Sequence, residues 1–289
     1  MADDADVWDG DRVERWLRQA EGLERQLAPV SEVLLDAARL APGESVLDVG
    51  CGTGPTTVAA AALVGPTGRV RGLDVSSAML AAAAGSAAGA PGAPIEWIEA
   101  DAVTWAPPTT DVEVVLSRFG VMFFSDPARA FANLAAATVA GGRLSVAVWR
   151  RRDESPLFAV PLHAAIGALR SGGGDDAALD ALLAADGGGP FSLHDEGALT
   201  DLLGAAGWAD VTVTAHTLDL RFAGGLPPAA AAEAALDFGP TRLAVADAGE
   251  DERVRARAAI AESFADHLDD DGTVVLAGAI NVVTAVRAG

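Results

Sequence analysis

Apolar positions along the chain follow two periods, a short alternating or continuous one and a helical one. Ser45–Val49, Arg69–Val75, Pro94–Glu99, Asp111–Ser117 and Arg143–Trp149 are short apolar runs that read as strands. Helical stretches separate them. The first follows a glycine turn and runs to about Val64, where Gly65-Pro66 ends it. Ser76 is a good N-cap for a second, to about Ala84. Asp126-Pro127 opens a third, to about Thr138, with the cap followed by proline at the first helical position. Gly141-Gly142 then leads into the fifth strand. Alternation of this kind predicts a parallel sheet with helices on both faces.

Upstream, Asp11–Leu40 is helical in pattern, with Trp16, Leu17, Leu23 and Leu27 near one face, and Pro29 is expected to break it into two pieces. After Trp149 the pattern changes. Residues 151 to about 207 hold helical segments separated by Gly172–Gly174 and Gly187–Gly189, glycine runs that predict flexible lid loops. Asp210–Phe222 alternates like a strand, Pro228–Leu268 is helical, and Gly272–Val286 is a last strand.

Composition narrows the function. A length of 289 residues suits one large domain, or a core with a smaller cap. With 41 acidic against 20 basic side chains, the net charge of −21 argues against a nucleic-acid surface, which needs clustered cations. It argues equally against an anionic membrane surface. The longest purely apolar run, Val58–Val64, is too short to span a bilayer. The acidic start lacks the order of a signal peptide, so a cytoplasmic protein is expected. A single cysteine permits no internal disulfide and no cysteine-rich metal cluster, and no metal is expected. The chain has no tyrosine and no lysine. Schiff-base lysines, P-loop lysines and tyrosine bases are thereby excluded, and with them the Tyr/Lys short-chain dehydrogenases.

The most informative segment is Val46-Leu47-Asp48-Val49-Gly50-Cys51-Gly52-Thr53-Gly54, a strand entering a glycine turn at a helix start. Such a turn lets a ligand approach the backbone where Cβ atoms would block it. Dinucleotide sites place Gly-x-Gly-x-x-Gly here. This spacing is Gly-x-Gly-x-Gly, and Asp48 sits two residues before the first glycine. An acid at the strand tip repels a pyrophosphate and suits a cationic ligand such as S-adenosylmethionine.

In these residues the chain resembles the class I S-adenosylmethionine-dependent methyltransferases. The resemblance implies a seven-stranded Rossmann-like α/β sheet, mostly parallel with an antiparallel last strand, carrying N-terminal helices and a helical lid. It implies that Asp74, in Gly72-Leu73-Asp74-Val75, takes the ribose hydroxyls, which two carboxylate oxygens can do together. Asp101 and the Ala102 N–H would sit at the adenine. Asp48, Gly50, Cys51, Gly52 and Gly54 would surround the methionine moiety, with Val75 and Met79 nearby, although Met79 also reads as core. Ser117-Arg118-Phe119-Gly120-Val121-Met122 is similar to the small-molecule branch that includes ubiquinone and menaquinone enzymes. That places Ser117 and Arg118 at the cofactor and Phe119 and Met122 at the substrate, where Trp16 of the N-terminal segment and His163 of the lid region are also expected. Cys51 reads as a small tolerated side chain rather than a nucleophile. Trp8 and Trp16 read equally as helix anchors or as part of a segment closing over the cofactor. The expected division is an N-terminal helical segment (1–40), a cofactor core (41–150), a lid and substrate region (151–207) and completion of the sheet with a helical insertion (208–289).

Transfer to an acid oxygen or carbon often needs a base. Of the four histidines, His216 and His267 have structural explanations, and His163 and His194 are the candidates. His194 follows Ser192 at a helix start, where Ser192-x-x-Asp195 resembles a capping box. No base is strictly needed, because the sulfonium is already activated and alignment alone accelerates transfer. The expectation is methyl transfer to a small-molecule acceptor by a monomer or homodimer, with oxygen ahead of nitrogen or carbon. A non-catalytic S-adenosylmethionine-binding protein and a nicotinamide-dependent oxidoreductase stay open as rivals.

Overall fold

The computed structural model describes residues 10–172, 176–184 and 188–289. Trp8, Gly173, Gly174 and Gly187 lie outside them, so the expectations for Trp8 and for parts of both glycine runs fall outside the described residues. Five strands, β1 (Ser45–Val49), β2 (Arg69–Asp74), β3 (Ile95–Glu99), β4 (Val112–Arg118) and β5 (Thr138–Trp149), pair in parallel. Beyond them come β6 (Trp208–Arg221) and β7 (Val275–Arg287), with β7 antiparallel to both β5 and β6. The sheet order is β3-β2-β1-β4-β5-β7-β6. The chain winds one way from β1 through β2 to β3 and the other way from β4. A crevice therefore opens beyond the carboxyl ends of β1 and β4, the point where such sheets bind ligands.

Burial follows each strand's place. Val46, Leu47, Val114, Val115 and Leu116 in the central strands are fully buried, because helices cover both faces. Edge strand β6 instead alternates exposed and half-buried positions. On the two faces lie α1 (Asp11–Ala38), α2 (Pro55–Val64), α3 (Ser77–Ser86) and α4 (Pro127–Ala137). The segment between β5 and β6 folds as α5 (Pro156–Ser171), α6 (Asp176–Ala184) and α7 (Glu196–Ala205). Between β6 and β7 come α8 (Pro228–Ala235), α9 (Gly239–Ala244) and α10 (Glu250–Ser263). Among the described residues no helix is long and apolar enough to cross a membrane.

Four local expectations are corrected. Pro29 does not break α1, which runs continuously through it. An interior proline costs a helix about 3 kcal/mol. Val30 and Leu34 are completely buried beside it and Leu27 nearly so, and each such side chain contributes roughly 1.5–3 kcal/mol. Packing wins. Strand β5 begins at Thr138 rather than Arg143, because Thr138 already pairs with Val112. Gly141-Gly142 is an irregularity inside the strand, consistent with the register shift between Val112 and Val114. The cap of α7 is Asp195, whose carboxylate accepts from the Ala198 N–H at 2.8 Å, while the Ser192 hydroxyl donates to the Met122 carbonyl. The helical stretch at 228–268 is divided into three helices and a short 3₁₀ turn, Phe264–His267.

Helix α1 thus has two halves with different duties. Its C-terminal half is core, and its N-terminal half, with Trp16 still 37% exposed, overhangs the crevice. Leu34→Ala should cost about 2–5 kcal/mol in urea unfolding. Trp16→Ala should cost less than about 1 kcal/mol; equal losses would contradict this division.

Candidate functional site

The crevice is floored by the turn from β1 into α2. Gly50 N–H and Cys51 N–H both donate to the Leu73 carbonyl, at 2.8 and 3.1 Å, which ties the turn to β2. Gly50 has a φ of 64° and packs on the loop after β4: a Cβ there would lie 2.6 Å from the Gly120 Cα. Gly52 also has positive φ, 55°, but a Cβ there would meet nothing within 4 Å. It borders the cleft, so its missing side chain leaves backbone exposed to a ligand. Gly54 packs on the Trp97 ring and does not line the cleft.

The three strand-end acids have three environments. Asp48 is completely buried and lies beneath the cleft rather than on its wall. Its Oδ2 accepts from the Thr56 and Thr57 hydroxyls at 2.7 and 2.6 Å, fastening the first turn of α2 to β1. Its Oδ1 is buried with no partner. Burial pushes this carboxyl up to about 6, against the opposing effect of the two hydroxyls. Asp74 lies on the wall, with Oδ2 accepting from Gly52 N–H at 2.8 Å and Oδ1 from Ser76 N–H at 2.9 Å. Each oxygen retains acceptor capacity, and burial raises this carboxyl too. Asp101, also on the wall, accepts from Val103 N–H at 2.7 Å and so shapes its own turn, with Ala102 beside it. Burial, reinforced by Asp48 and Asp74, pushes the Cys51 thiol far above its ordinary value, which leaves it inert as a nucleophile. Val75 and Met79 complete this side.

The opposite wall comes from the β4 end and α1. Arg118 lines the cleft, but its guanidinium is engaged: it donates to both Glu24 oxygens, at 2.6 and 3.2 Å, and to the Ser31 hydroxyl at 2.6 Å. It therefore binds α1 to the sheet. Ser117 is fully buried off the cleft, and its hydroxyl accepts from Gly120 N–H at 3.1 Å. Phe119 sits at φ 68°, rare for a side chain this bulky. Its N–H donates to Ala147 O at 3.0 Å, and its ring stacks on Trp149 with centroids 4.2 Å apart.

Phe119, Trp16, Leu27 and Phe123 border both the cleft and a second chamber of about 540 Å³. Met122, Trp149, Phe158, Phe191 and Phe238 line that chamber, which makes it strongly aromatic. Phe158 meets Trp149 and Phe191 edge-on and stacks on Phe238. The chamber draws on α1, on the segment between β5 and β6, and on the one between β6 and β7. The candidate bases lie elsewhere. His163 is solvent-exposed on α5, and His194 is held by its own turn, Nδ1 lying 2.8 Å from Phe191 O; neither lines the cleft or the chamber.

The pattern of residues had missed several participants. Thr56 and Thr57 were legible in principle as hydroxyls at the start of a helix directly after the turn. Gly120 was legible as a second glycine beside a strand end. Phe158, Phe191 and Phe238 carry no motif, because three separate segments bring them together.

Because Asp48 is harder to ionise when folded, the folded state retains a proton that the unfolded state has released. Its contribution therefore lowers stability as pH rises from about 4 to 6. Asp48→Asn keeps an acceptor for the threonines and should be more stable than the parent above pH 6, by on the order of 1–3 kcal/mol. The gap should close toward pH 4 in chemical unfolding; a pH-independent gap would contradict the assignment.

Residues 46–142 match the family described as methyltransferase domain. Nocamycin O-methyltransferase of Saccharothrix syringae is 32% identical over 202 residues, which are 67% of this chain and 69% of that protein. Aklanonic acid methyltransferase DauC of Streptomyces sp. (strain C5) is 32% identical over 117 residues, 40% of this chain and 53% of that protein. Among solved structures, Haemonchus contortus phosphoethanolamine N-methyltransferase 2, in complex with S-adenosyl-L-methionine, shares the fold. Its TM-score is 0.55 at 14% identity, with 100% of this chain and 61% of that one covered. On this similarity, and on the sheet and crevice that go with it, the chain belongs to the class I S-adenosylmethionine-dependent methyltransferases of small-molecule type.

Proposed function

We propose that this methyltransferase acts on an oxygen of a flat, largely aromatic small molecule bound in the chamber beside the cofactor cleft. The observation that carries the reading is the shared aromatic wall: Phe119 and Trp16 border the cleft on one side and the chamber on the other. Pockets of this size and apolar character suit a drug-sized ligand. The two curated relatives bear the names of acceptors or products of secondary metabolism, which favours the same class here.

The residues present fit the cofactor. Gly52 leaves its backbone open, and Asp74 and Asp101 present carboxylates to the cleft. The buried, unpartnered Asp48 Oδ1 adds negative potential under the floor, as a cationic ligand requires. In this reading the Gly50–Gly54 turn holds the methionine portion, Asp74 the ribose hydroxyls, and Asp101 with Ala102 the adenine. Asp48 and Ser117 position the two loops from below. When bound, S-adenosylmethionine supplies a methyl group already activated on a positive sulfur.

What the chain contributes to transfer is alignment and exclusion of water. The stacked pair Phe119 and Trp149 gives a planar acceptor a rigid wall, and Arg118 keeps α1 over the site through Glu24 and Ser31. Among the described residues no histidine lines the chamber, the chain has no tyrosine or lysine, and Asp237 is the carboxylate on the chamber wall. Acceptors whose hydroxyl is acidic by itself, phenols or enols, fit this best, with positioning providing most of the acceleration. We assign the roof to the described residues of the segment at 151–207 together with the helical insertion at 228–268, which carry Phe191 and Phe238. The N-terminal helical segment closes the same site from the side.

Calorimetric titration should show S-adenosylmethionine binding to the parent protein and roughly 10–100-fold weaker binding to Asp74→Ala, the loss of hydrogen bonds to a charged group. Unchanged affinity would remove Asp74 from the site. Incubation with a panel of phenols and aliphatic alcohols should give S-adenosylhomocysteine and singly methylated products from phenols. Turnover of the aliphatic alcohols alone would overturn the acceptor class.

A further inference from the structure

Among the described residues two arginines line the chamber, Arg152 and Arg242. Arg152 is engaged, its guanidinium donating to the Leu182 and Leu183 carbonyls in the last turn of α6. Arg242, half-buried on α9, has a guanidinium with no hydrogen-bond or ion-pair partner among the described residues. Asp237, on the same wall, is exposed and makes no ion pair with it. Every other buried or half-buried arginine among the described side chains donates to a carboxylate, as Arg118 and Arg143 do, or to a backbone carbonyl, as Arg152 and Arg253 do. With 41 acids for 20 basic residues, carboxylates are abundant in this chain. Arg242 stands apart in meeting none of them.

The backbone fixes its place. The Arg242 N–H donates to the Phe238 carbonyl at 3.3 Å, so the two residues stand one helical turn apart. Both line the chamber, and the Phe238 ring stacks on Phe158. Gly239, with a φ of 50°, starts α9 against that wall: a Cβ there would lie 3.1 Å from the Phe158 ring. Pro240 and Thr241 follow, both buried, and anchor the helix. Leu243 also lines the chamber yet is 53% exposed, which puts this stretch where the chamber opens to water. Arg242 does not border the cleft that Asp74 and Asp101 line. A ligand group that reaches Arg242 is therefore at the end away from that cleft.

We propose that Arg242 determines acceptor specificity by binding a carboxylate at the far end of the acceptor from the hydroxyl that is methylated. The inference rests on the reading of the chamber as the acceptor site. The acceptor is then a hydroxylated aromatic acid, its rings against the aromatic wall and its carboxylate on the guanidinium. A guanidinium presents parallel N–H donors that match the two oxygens of a carboxylate. Aromatic contact alone discriminates weakly between flat molecules of one shape, whereas an unengaged cation adds a requirement that the ligand must meet. Asp237 opposes an anion only weakly, because it is exposed and water and salt screen it over about 8 Å.

A hydroxynaphthoic acid with hydroxyl and carboxyl at opposite ends of the rings, and the corresponding amide, test this. The two are flat and alike in shape, and at neutral pH they differ by one charge. Each is titrated by calorimetry into the protein saturated with S-adenosylhomocysteine, so that no methyl group can be transferred. The acid should bind the parent about tenfold more tightly than the amide, the worth of hydrogen bonds to a charged group at a partly screened site. In Arg242→Gln the ratio should fall to one or below, while the affinity for the amide stays within about twofold. Raising the salt should weaken the acid in the parent and leave the amide unchanged. That salt series needs no variant, so it decides the matter even if Arg242→Gln fails to fold. Equal affinities in the parent, a preference that survives Arg242→Gln, or a preference indifferent to salt would overturn the role of Arg242 while leaving the chamber as acceptor site. Binding of S-adenosylhomocysteine with no binding of either probe would overturn the chamber as acceptor site as well.

Discussion

The site depends on one close approach. Gly50, after β1, and Gly120, after β4, meet backbone to backbone at the switch point of the sheet, with no room for a Cβ on either side. This contact brings the two loops together over the sheet and defines the crevice between them. It also fixes the residue before Gly120. Phe119 is held in the left-handed region, with its N–H on Ala147 and its ring against Trp149. Strain of this sort costs of order 1–3 kcal/mol and persists only where the surroundings impose it. Here it places an aromatic ring at the boundary between the cleft and the aromatic chamber.

Electrostatics divides labour among the acids around that contact. Asp48 is spent below the floor, holding Thr56 and Thr57, and burial makes it reluctant to ionise. Asp74 holds the turn through Gly52 and still faces the cleft. The same burial that raises both carboxyls removes Cys51 from chemistry. In a chain of net charge −21, the described acids on or beneath the cleft wall are Asp48, Asp74 and Asp101, beside the turn. Among the described residues Arg118 is the one guanidinium on the cleft wall, and it joins two elements through Glu24.

Much of the architecture was legible because it is local. A strand, a glycine turn and a helix follow one another within twenty residues at 45–64, and hydrophobic period alone marks β1 to β4 and their helices. Asp74 and Asp101 were legible as acids at strand ends, where an open sheet binds ligands. Pro29 was misread because a propensity of about 3 kcal/mol was set against nothing, while the folded chain sets it against buried Val30 and Leu34. Ser192 was misread as a cap because the hydroxyl could bond locally or to Met122, and only packing selects between them. His163 and His194 were chosen by residue type, which says nothing of direction.

The sequence by itself determined the sheet, the glycine turn and the acids beside it, and the exclusion of lysine and tyrosine chemistry. Each of these is a matter of composition or of spacing along one segment. The tertiary structure alone decided the aromatic chamber, the engagement of Arg118 by α1, and the hydrogen bond from the Ala223 N–H to the Gln26 side chain, nearly two hundred residues away in the chain. The physical reason is that these contacts join segments distant in the chain. No local propensity encodes them, and they exist only when the packed core brings α1, the β4 loop and the late helical insertion to the same place.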